Sequence, residues 1–418
     1  MKILIIGAGV IGVTSAYCLR QRGYDVAVLD REEEPGRDTS FANGSLLTPS
    51  MSDPWNAPGC WRILLASLGR SDSPMQLRLK ALPTLGRWGP AFLLNSRRSV
   101  YQQNTLNNLR LARYSMEVMT SLRDGTDVEY GRSARGTLRL FRDPAALERA
   151  VAAALHLQSA GLSFQALTAT KTIELEPALA PIATQLAGAI HYPMDETGDA
   201  FRFCLGLAEQ SRKEGAEFHF RTKVVALEVR AGRVSAVLTR TERLTADRYI
   251  IAAGSYSTPL LKAVGIQLPV RPVKGYSVTL AYPVTSRSLR IPVVDDDFHA
   301  VVVPIRGAIR VAGTAEFAGF DRTLNSDRTH NLLRLLHKVL PEERFDLASA
   351  MPWSGLRPMS VDGLPIIGPT PLPNLWVNTG HGHLGWTMAA GSAQLLTDLI
   401  AARPPAMDPS PFAFARFR

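Results

Sequence analysis

The sequence is poor in cysteine. Its 418 residues include three, Cys18, Cys60 and Cys204, and their wide spacing fits neither a disulfide framework nor a zinc site. We therefore expect a protein of a reducing compartment, most simply the cytoplasm, and no bound metal.

Long hydrophobic runs are absent as well. No stretch reaches the roughly 18 apolar residues that a transmembrane helix requires. The apolar start, MKILIIGAGVIG, is interrupted by glycines, and no small-residue cleavage site of the secretory kind follows it. With 46% hydrophobic and 20% charged residues the chain can still bury a large core, and its length suggests two domains. We expect it to be soluble, or at most peripheral to a membrane.

Acidic residues are outnumbered. Lys and Arg total 47 against 37 for Asp and Glu, a formal net charge of +10. This surplus favours an acidic partner: nucleic acid, an anionic membrane surface or a charged small molecule. The basic residues are dispersed and are not interleaved with aromatic residues in the pattern of a nucleic-acid-binding module. We therefore expect no nucleic-acid partner.

The chain opens with the pattern of a dinucleotide-binding βαβ unit. An apolar strand over residues 2–6 leads into GAGVIG, then a helical pattern, then a second strand that ends at Asp30, which could accept a hydrogen bond from a ribose. Gly7 permits the tight turn, Gly9 lets a pyrophosphate approach the backbone, and Gly12 allows the helix to pack on the strand. The helix N-terminus adds free N–H groups and a positive dipole end. The predicted contacts here are Gly7, Gly9, Val10, Ile11, Gly12 and Asp30.

Two further absences bear on the identity of the dinucleotide. The motif itself fits NAD and FAD equally. The chain has no second GxGxxG, which a flavoenzyme that also binds a nicotinamide would need, and no CxxC, which a disulfide reductase would need. These absences indicate that a single dinucleotide acts alone here, and they favour a tightly bound flavin as that dinucleotide.

The middle of the chain changes composition over residues 45–101. Prolines, the tryptophans Trp55, Trp61 and Trp88, and scattered arginines alternate with leucine-rich pieces, which predicts short helices and loops. This segment is either an apolar insert packed on the second domain or a docking segment for a membrane.

The following segments alternate between helical and strand patterns. Residues 104–123, 144–160 and 196–212 have helical spacing. The apolar strand within 247–254 ends in small residues, so we expect it to return to the dinucleotide domain beside the first glycine loop. Alternating segments over 269–316 predict a mostly antiparallel sheet over the active site.

A second glycine-rich segment lies near the C-terminus. Gly380, Gly382 and Gly385 surround the start of a helix that we expect near Leu384, and this makes another anion site. A flavin that takes a hydride develops negative charge over N1 and the C2 carbonyl, which a helix N-terminus could stabilise. One helix N-terminus for the pyrophosphate and another for the isoalloxazine ring form a more specific pattern than either alone.

Motifs along nearly the whole chain resemble one family. They include TSFANGSLLTPSMSDPWNAPG, RGTLRLFR, MDETGD, AAGSYSTPLL, PVKGYSVTL, GLRPMSVDGLPIIG and NTGHGHLGWTMAAGSAQLL, of which the last two are highly specific. In these the chain resembles the D-amino-acid oxidase superfamily of flavoproteins, and within it the bacterial D-amino-acid dehydrogenases of the small-subunit type. The resemblance implies an α/β fold with two interleaved domains. The Rossmann-like FAD-binding domain would comprise 1–50, 196–268 and 352–418; the α+β substrate domain, built on a mostly antiparallel sheet, would comprise 51–195 and 269–351.

The resemblance also implies site residues for a non-covalent FAD. Arg357 would pair with the substrate carboxylate, for which a planar guanidinium is well suited; the alternative is a structural ion pair. No cysteine lies near the C-terminal glycines, so a cysteinyl-flavin bond is not expected. The implied FAD contacts are Asp30 and Arg31 at the adenosine, Val224 at the adenine, Thr39, Ser40 and Asn43 along the flavin, Ala253 and Gly254 beside the first loop, and Gly380, His381, Gly382, Gly385, Trp386 and Thr387 at the flavin ring.

Two other candidate catalytic residues have equally simple structural interpretations. Tyr276 could line the pocket or could be a core tyrosine. His299 aligns loosely with a site histidine of related glycine oxidases, but it could also be a surface residue on an edge strand. Of the two histidines beside the flavin loop, His381 is expected near the flavin and His383 is expected to be structural.

The chain departs from the dehydrogenase pattern at two positions. Relatives usually have glutamine at the position of Leu46 and tyrosine at that of Met51, and this chain is more apolar there. The substrate range is therefore open.

The implied reaction is oxidative deamination of a D-amino acid. A hydride would pass from Cα to flavin N5, water would hydrolyse the imino acid to a 2-oxo acid and ammonia, and electrons would leave to a quinone or another respiratory-chain acceptor. Contact with the inner face of the cytoplasmic membrane would suit such an acceptor. Two alternatives are a dehydrogenase of a cyclic secondary amine, such as D-proline or cis-4-hydroxy-D-proline, and a subunit that only relays electrons through its flavin.

Overall fold

The computed structural model describes residues 1–67, 75–298 and 300–417. The strands are, in chain order, β1 (Lys2–Ile6), β2 (Asp25–Leu29), β3 (Leu46–Leu47), β4 (Met75–Leu77), β5 (Thr137–Phe141), β6 (Gln165–Thr168), β7 (Gly188–Tyr192), β8 (Glu196–Thr197), β9 (Glu217–His219), β10 (Ala226–Arg230), β11 (Arg233–Leu238), β12 (Arg243–Leu244), β13 (Arg248–Ile251), β14 (Val270–Ala281), β15 (Val293–Asp295), β16 (Ala300–Ile305), β17 (Ala308–Phe317), β18 (Met351–Ser360), β19 (Ile366–Pro369) and β20 (Leu375–Thr379). The α-helices are α1 (Val10–Gln21), α2 (Cys60–Ala66), α3 (Leu82–Leu85), α4 (Trp88–Leu94), α5 (Arg98–Asp124), α6 (Pro144–Gln158), α7 (Ala169–Leu175), α8 (Ala200–Lys213), α9 (Ser257–Lys262), α10 (Ser326–Val339) and α11 (Ala389–Ile400).

The first sheet has, among the described residues, the strand order β19-β20-β13-β1-β2-β9. Its strands run parallel except at β19, which pairs antiparallel with β20. After the exposed Lys2, β1 is apolar because both faces are covered, as is usual for parallel sheets. Ile3 and Ile5 point into a core shared with α1, α8 and α11, whereas Leu4 and Ile6 point into a second core closed by the small sheet β10-β11-β12.

The second sheet has the order β18-β14-β17-β16-β15-β5-β7-β6 in the described part of the chain, with β4 added beside β17. Most neighbours are antiparallel, as the alternation over 269–316 predicts; β15–β5 and β17–β4 are parallel. Helix α10 packs its leucines onto one face. The predicted α/β fold with a mostly antiparallel second sheet is therefore confirmed.

The two sheets are assembled from alternating parts of the chain. The first takes strands from residues 2–29, 217–251 and 366–379, and the second takes strands from 75–192 and 270–360. The predicted return of the strand within 247–254 is confirmed, since β13 pairs with β1. The domain limits themselves stay a proposal. β18 runs across the limit drawn at 351/352, and α5 packs against α11 in the first domain's core.

Two predicted helix starts differ from the structure. The C-terminal helix, expected near Leu384, begins at Ala389 because residues 385–388 form turns. The helix expected over 196–212 begins at Ala200, since β8 precedes it and the Asp199 carboxylate accepts from the N–H groups of Phe201 and Arg202 as an N-cap. No helix in the described ranges is long and apolar enough to cross a bilayer.

Candidate active site

A cavity of about 900 Å³ is lined by residues of both sheets. From the first sheet it takes the ends of β1, β2 and β13 with their following loops, and from the second it takes parts of β14, β15, β16, β17 and β18. The carboxyl ends of parallel strands are where open α/β sheets bind ligands. The cavity is therefore the candidate active site.

The first glycine loop is shaped as its sequence predicts. Gly7 has φ +110°, and a Cβ there would lie 2.5 Å from the carbonyl oxygen of Ala252. A Cβ on Gly12 would lie 1.8 Å from the carbonyl oxygen of Gly7, so Gly12 serves packing and does not line the cavity. At Gly9, by contrast, a Cβ would meet only Ser40 Oγ at 3.6 Å. Gly7, Gly9, Val10 and Ile11 line the cavity.

The end of β2 is tied to this loop by Asp30. Its Oδ2 accepts from the N–H of Ala8 at 2.5 Å and its Oδ1 from the N–H of Glu32 at 2.8 Å. Burial raises the pKa of Asp30, although these two N–H groups act to lower it. The carboxylate therefore fixes the loop geometry and keeps remaining lone pairs on the cavity wall.

Arg31 and Val224 lie on the same part of the wall. The guanidinium of Arg31 is 3.8 Å from the ring centre of Tyr256 and pairs with Asp38. The N–H of Val224 makes no hydrogen bond within the described chain, which leaves it free for a ligand. Ala253 and Gly254 line the cavity opposite, at the end of β13.

The segment after β2 carries Thr39, Ser40 and Asn43, and all three line the cavity. Ser40 Oγ accepts from the N–H of Val10 at 3.1 Å, and Thr39 Oγ1 donates to the carbonyl of Leu356 at 3.1 Å. Asn43 Oδ1 accepts from the N–H of Ser45 at 3.0 Å. These bonds hold the segment between the first helix and β18.

Sequence reasoning missed the support beneath this segment. Arg310 is buried, and its Nη1 donates to Ser45 Oγ at 2.7 Å while its Nε donates to Thr279 Oγ1 at 2.9 Å. Burial lowers the pKa of Arg310. A lone arginine inside an alternating strand gives no sequence signal for this role.

The C-terminal glycine segment only partly faces the cavity. His381, Gly382, Gly385 and Trp386 line it, and Gly380 and Thr387 do not. Gly380, with φ +80°, makes the turn after β20, and Thr387 Oγ1 accepts from the N–H of Thr48.

Two buried polar atoms of this segment lack a hydrogen-bond partner within the described chain, Nδ1 of His381 and Nε1 of Trp386. His381 Nε2 is 2.9 Å from Ser392 Oγ, and burial lowers the pKa of His381 to about 3. His381 is therefore neutral at pH 7. Both side chains lie on the cavity wall, where a bound group with polar edges could satisfy them.

Arg357 on β18 also reaches the cavity. Its Nη1 donates to the carbonyl of Thr314 at 3.0 Å, and its Cζ is 5.2 Å from the ring centre of Trp55. No carboxylate in the described ranges forms an ion pair with it, so the structural ion pair considered above is absent there. Burial lowers the pKa of Arg357 to about 10, which leaves it charged at neutral pH.

Two paired glycines leave room for large side chains, Gly275 for the guanidinium of Arg357 and Gly355 for the ring of Trp353. Gly275 and Gly355 are directly opposite each other on β14 and β18. A Cβ on Gly275 would lie 1.8 Å from Arg357 Nη1, and one on Gly355 would lie 2.1 Å from the ring of Trp353. The sequence contains both glycines, but only the strand register shows that they lie opposite each other.

The other candidate catalytic residues fare differently. Tyr276 touches the cavity, but its hydroxyl donates to Glu316 Oε2 at 2.5 Å and its side chain packs in the core of the second sheet. His299 lies outside the described residues. His383 lines the cavity and stacks on Trp55 with ring centres 5.2 Å apart; its Nε2 is 3.0 Å from the carbonyl of Met51.

One wall of the cavity is apolar. Leu46 and Met51 pack against Val294, Val301 and Ala312, and all five line the cavity. The three cysteines are all buried, and none belongs to the lining. No group of three or more potential metal-ligating side chains is found in the described part of the chain.

Comparison with known proteins agrees with this geometry. Residues 2–399 match the family described as DAO, FAD dependent oxidoreductase. The chain is 39% identical to a D-amino acid dehydrogenase of Paramagnetospirillum magneticum, over 100% of this chain and 99% of the relative. It is 40% identical to a D-amino acid dehydrogenase of Chromohalobacter salexigens, over the full length of both.

Solved structures resemble it over similar lengths. A glycine oxidase from Geobacillus kaustophilus is 25% identical with a TM-score of 0.76, and the match covers 99% of this chain and 98% of the other. An L-proline dehydrogenase from P. horikoshii has a TM-score of 0.78 at 18% identity, with coverage of 100% and 97%. The second similarity concerns the fold alone.

Proposed function

Because the chain belongs to the DAO family of FAD-dependent oxidoreductases, we propose that it oxidises D-amino acids to 2-imino acids, which water hydrolyses to 2-oxo acids and ammonia. The observation that carries this proposal is Arg357, a guanidinium without a carboxylate partner in the described chain, which lines the same cavity as the glycine loop. A planar guanidinium binds a carboxylate through two parallel hydrogen bonds. The curated relatives named above are D-amino acid dehydrogenases.

FAD is the cofactor, and the residues of the chain fit it. The N-terminus of α1 has no acidic residue in its first turn, and its N-cap residue, Gly9, provides no side-chain cap. Ser40 takes the N–H of Val10, and the dipole with the remaining N–H groups of the first turn suits a pyrophosphate. Gly9 leaves room for the approach, and the orphaned atoms of His381 and Trp386 suit the polar edge of an isoalloxazine. We assign the adenosine to Asp30, Arg31 and Val224.

When bound, the flavin would itself be the two-electron acceptor for the hydride that leaves Cα. The chain's own part is positioning: Arg357 fixes the carboxylate, and the apolar wall around Leu46 and Met51 excludes water. The substrate amine must lose its proton before oxidation, and we assign no protein base to this step. The hydroxyl of Tyr276, which the sequence offered as a pocket or a core residue, donates to Glu316, and we assign Tyr276 no part in the reaction.

A cyclic secondary amine, such as D-proline, is the second candidate substrate. The observation that favours it is the apolar wall of Leu46, Met51, Val294 and Val301. A saturated ring would bury its methylene groups there, whereas the small methyl group of D-alanine would leave much of the wall uncovered.

The acceptor of the electrons would be a quinone at an anionic membrane. From Pro54 to Val100 the chain has seven Lys or Arg residues and one acidic residue, Asp72. Trp88 and Phe92 stack and anchor this segment on Phe317 of the second sheet, while Trp61, Leu79 and Leu94 are exposed. Exposed apolar and basic side chains on one segment suit the headgroup region of an anionic bilayer.

This membrane contact is testable with vesicles. The protein should co-sediment with vesicles that contain phosphatidylglycerol and not with purely zwitterionic ones. A Leu79→Ser and Leu94→Ser double variant should lose the association and keep its turnover with a soluble dye acceptor. Equal sedimentation of this variant and the wild type would overturn the docking assignment.

Turnover of paired enantiomers tests the reaction itself. The purified flavoprotein would be assayed with D- and L-alanine and with D- and L-proline, a dye as acceptor, and detection of the 2-oxo acid and ammonia. D enantiomers should give product and L enantiomers should not. A flavin that no D-amino acid reduces would favour the electron-relay subunit instead.

A further inference from the structure

His383 lies between the two parts of the cavity that the proposed reaction uses. Its ring is stacked on Trp55, with ring centres 5.2 Å apart, and the centre of the same indole ring is 5.2 Å from Cζ of Arg357. Its Nε2 is 3.0 Å from the carbonyl oxygen of Met51, a residue of the apolar wall. The sequence suggested only a structural role for this histidine, but its contacts connect the carboxylate site with the apolar wall.

The hydrogen bond to Met51 determines which nitrogen of His383 carries the proton. A carbonyl oxygen can only accept, so Nε2 is the donor and Nδ1 keeps its lone pair whenever the ring is neutral. Burial lowers the pKa of His383 to about 4; the charge of Arg357 acts in the same direction, and the bond to Met51 acts against it. His383 is therefore a neutral hydrogen-bond acceptor at pH 7.

Nδ1 of His383 is available to a ligand. It has no hydrogen-bond partner in the part of the chain that the structure describes, and it is not enclosed, unlike Nδ1 of His381. Because His383, Trp55 and Arg357 all line the cavity, a molecule bound there can contact all three. A lone pair attracts an N–H group and repels a carboxylate oxygen, so this acceptor does not suit the group that Arg357 binds.

One α-amino acid is long enough to contact both Arg357 and His383. Their common neighbour Trp55 limits the separation between Arg357 Cζ and the imidazole centre to about twice 5.2 Å. The amine nitrogen of an α-amino acid is about 2.5 Å from its carboxyl carbon. With a hydrogen bond at each end, the molecule bridges up to about 10 Å between the guanidinium carbon and the imidazole centre. Nδ1 is therefore within reach of the amine when Arg357 binds the carboxylate.

We propose that Nδ1 of His383 accepts a hydrogen bond from the substrate amine, while Arg357 binds the carboxylate and the apolar wall receives the side chain. The inference rests on the proposed amino-acid oxidation and adds a substrate-binding residue to it. An amine that donates one N–H to His383 keeps its lone pair free for the C=N bond of the imino acid. Three fixed substituents also leave the Cα–H a different direction in each enantiomer, which allows the site to select D-amino acids.

Two substitutions separate this hydrogen bond from the ring stack. His383→Phe keeps an aromatic ring beside Trp55 and removes the acceptor, whereas His383→Asn loses the ring and keeps an amide oxygen close to the position of Nδ1. The dissociation constant of D-alanine, taken from the concentration dependence of anaerobic flavin reduction by the holoenzyme, should rise about tenfold in His383→Phe. In His383→Asn it should stay within about threefold of the wild type. A role in stacking alone predicts the opposite order, and that result would overturn the proposal.

Propanoate shows whether the effect belongs to the amine, because it is D-alanine without that group. Its dissociation constant, measured from the shift that it causes in the flavin spectrum, should be equal in the wild type and both variants. Equal weakening of D-alanine and propanoate in His383→Phe would contradict the assigned contact.

His191→Phe is the matched control for the loss of a histidine. Nε2 of His191 is 3.1 Å from the carbonyl oxygen of Arg135, but His191 does not line the cavity. D-alanine and propanoate should bind this variant as they bind the wild type.

Failure of the proposed reaction would remain distinguishable from failure of this contact. If D-alanine does not reduce the flavin, its dissociation constant is measured from the spectral shift instead, and the comparison with propanoate still tests His383. Flavin content and melting temperature identify a variant that misfolds. In that case His383→Leu, which also lacks an acceptor, replaces His383→Phe with the same expected loss of about tenfold. A D-alanine constant that stays at the wild-type value there would refute the role of His383.

Discussion

The guanidinium of Arg357 is held by the backbone of Thr314, whose carbonyl oxygen accepts from Nη1 at 3.0 Å. Thr314 has φ +58°, a left-handed conformation that a β-branched residue rarely adopts. Its own Oγ1 is buried without a partner in the described chain. Backbone strain of this kind is often found at functional sites. Here the strained conformation orients the Thr314 carbonyl that positions Arg357.

The assignment of Arg357 to the substrate carboxylate can be tested by replacing Arg357 itself or by filling the space that Gly275 leaves for its guanidinium. Arg357→Ala should raise KM for D-amino acids at least tenfold, since a charge-assisted pair contributes about 1.5–3 kcal/mol. Gly275→Ala should have a similar effect, because its Cβ would occupy the position of Nη1. KM and flavin content would be measured together.

Gly89→Ala serves as the control for the glycine substitution. Gly89 lies in α4, and a Cβ there would meet only Leu85 Cβ at an ordinary 3.7 Å. Its kinetics should match the wild type. Unchanged KM in Arg357→Ala would remove the assigned role of Arg357.

Strain at Thr314 predicts an unusual gain in stability. Thr314→Gly removes the left-handed strain of about 1–3 kcal/mol and an unsatisfied hydroxyl, and it adds about 1 kcal/mol of chain entropy to the unfolded state. The free energy of unfolding in a fixed excess of FAD should rise by about 1 kcal/mol. KM should change little because the carbonyl remains. A marked loss of stability would show that the conformation is not strained.

Asp30 should contribute directly to FAD affinity. Asp30→Ala leaves the N–H groups of Ala8 and Glu32 without their acceptor, so the dissociation constant of FAD should rise about tenfold or more. Quenching of FAD fluorescence by the apoprotein measures it. Asp247→Ala is the control, since Asp247 accepts from the N–H of Lys2 at the other end of β1; equal affinities in the two variants would contradict the role of Asp30.

Asp195 should make stability depend on pH. It is buried, its carboxyl accepts from Ser50 and Thr137, and burial raises its pKa to about 7. The folded state therefore keeps a proton that the unfolded chain, with a pKa of about 3.9, has released. Stability falls as pH rises towards 7, by about 2 kcal/mol between pH 5.5 and 8.

Asp195→Asn removes this titration. Denaturant unfolding of both proteins at pH 5.5 and 8 should show the wild type losing about 2 kcal/mol more than the variant. The same loss in both proteins would place the pH dependence elsewhere.

Local patterns in the sequence predicted much of the fold. The GAGVIG turn, the apolar β1 and the terminal Asp30 depend on residues close in sequence, and their arrangement follows from strand sterics and helix ends. The alternation over 269–316 likewise predicted the antiparallel strands β14, β16 and β17, although these are buried on both faces.

Features that depend on distant pairings escaped sequence reasoning. The space that Gly275 leaves for Arg357 of β18 depends on the register of β14 with β18. The hydroxyl of Tyr276 donates a hydrogen bond to Glu316, 40 residues away, and no local sequence pattern predicts this bond. The late start of α11 reflects turns held by tertiary contacts such as that between Thr387 and Thr48.

The most direct test of the account is anaerobic mixing of the oxidised flavoprotein with D-alanine, D-proline and their L enantiomers, followed through the visible absorption band of the flavin. The account predicts that the D enantiomers bleach the band and the L enantiomers do not, and that Arg357→Ala requires far higher concentrations of the D enantiomers for the same bleaching. A band that no D-amino acid bleaches, or that both enantiomers bleach equally, would contradict it.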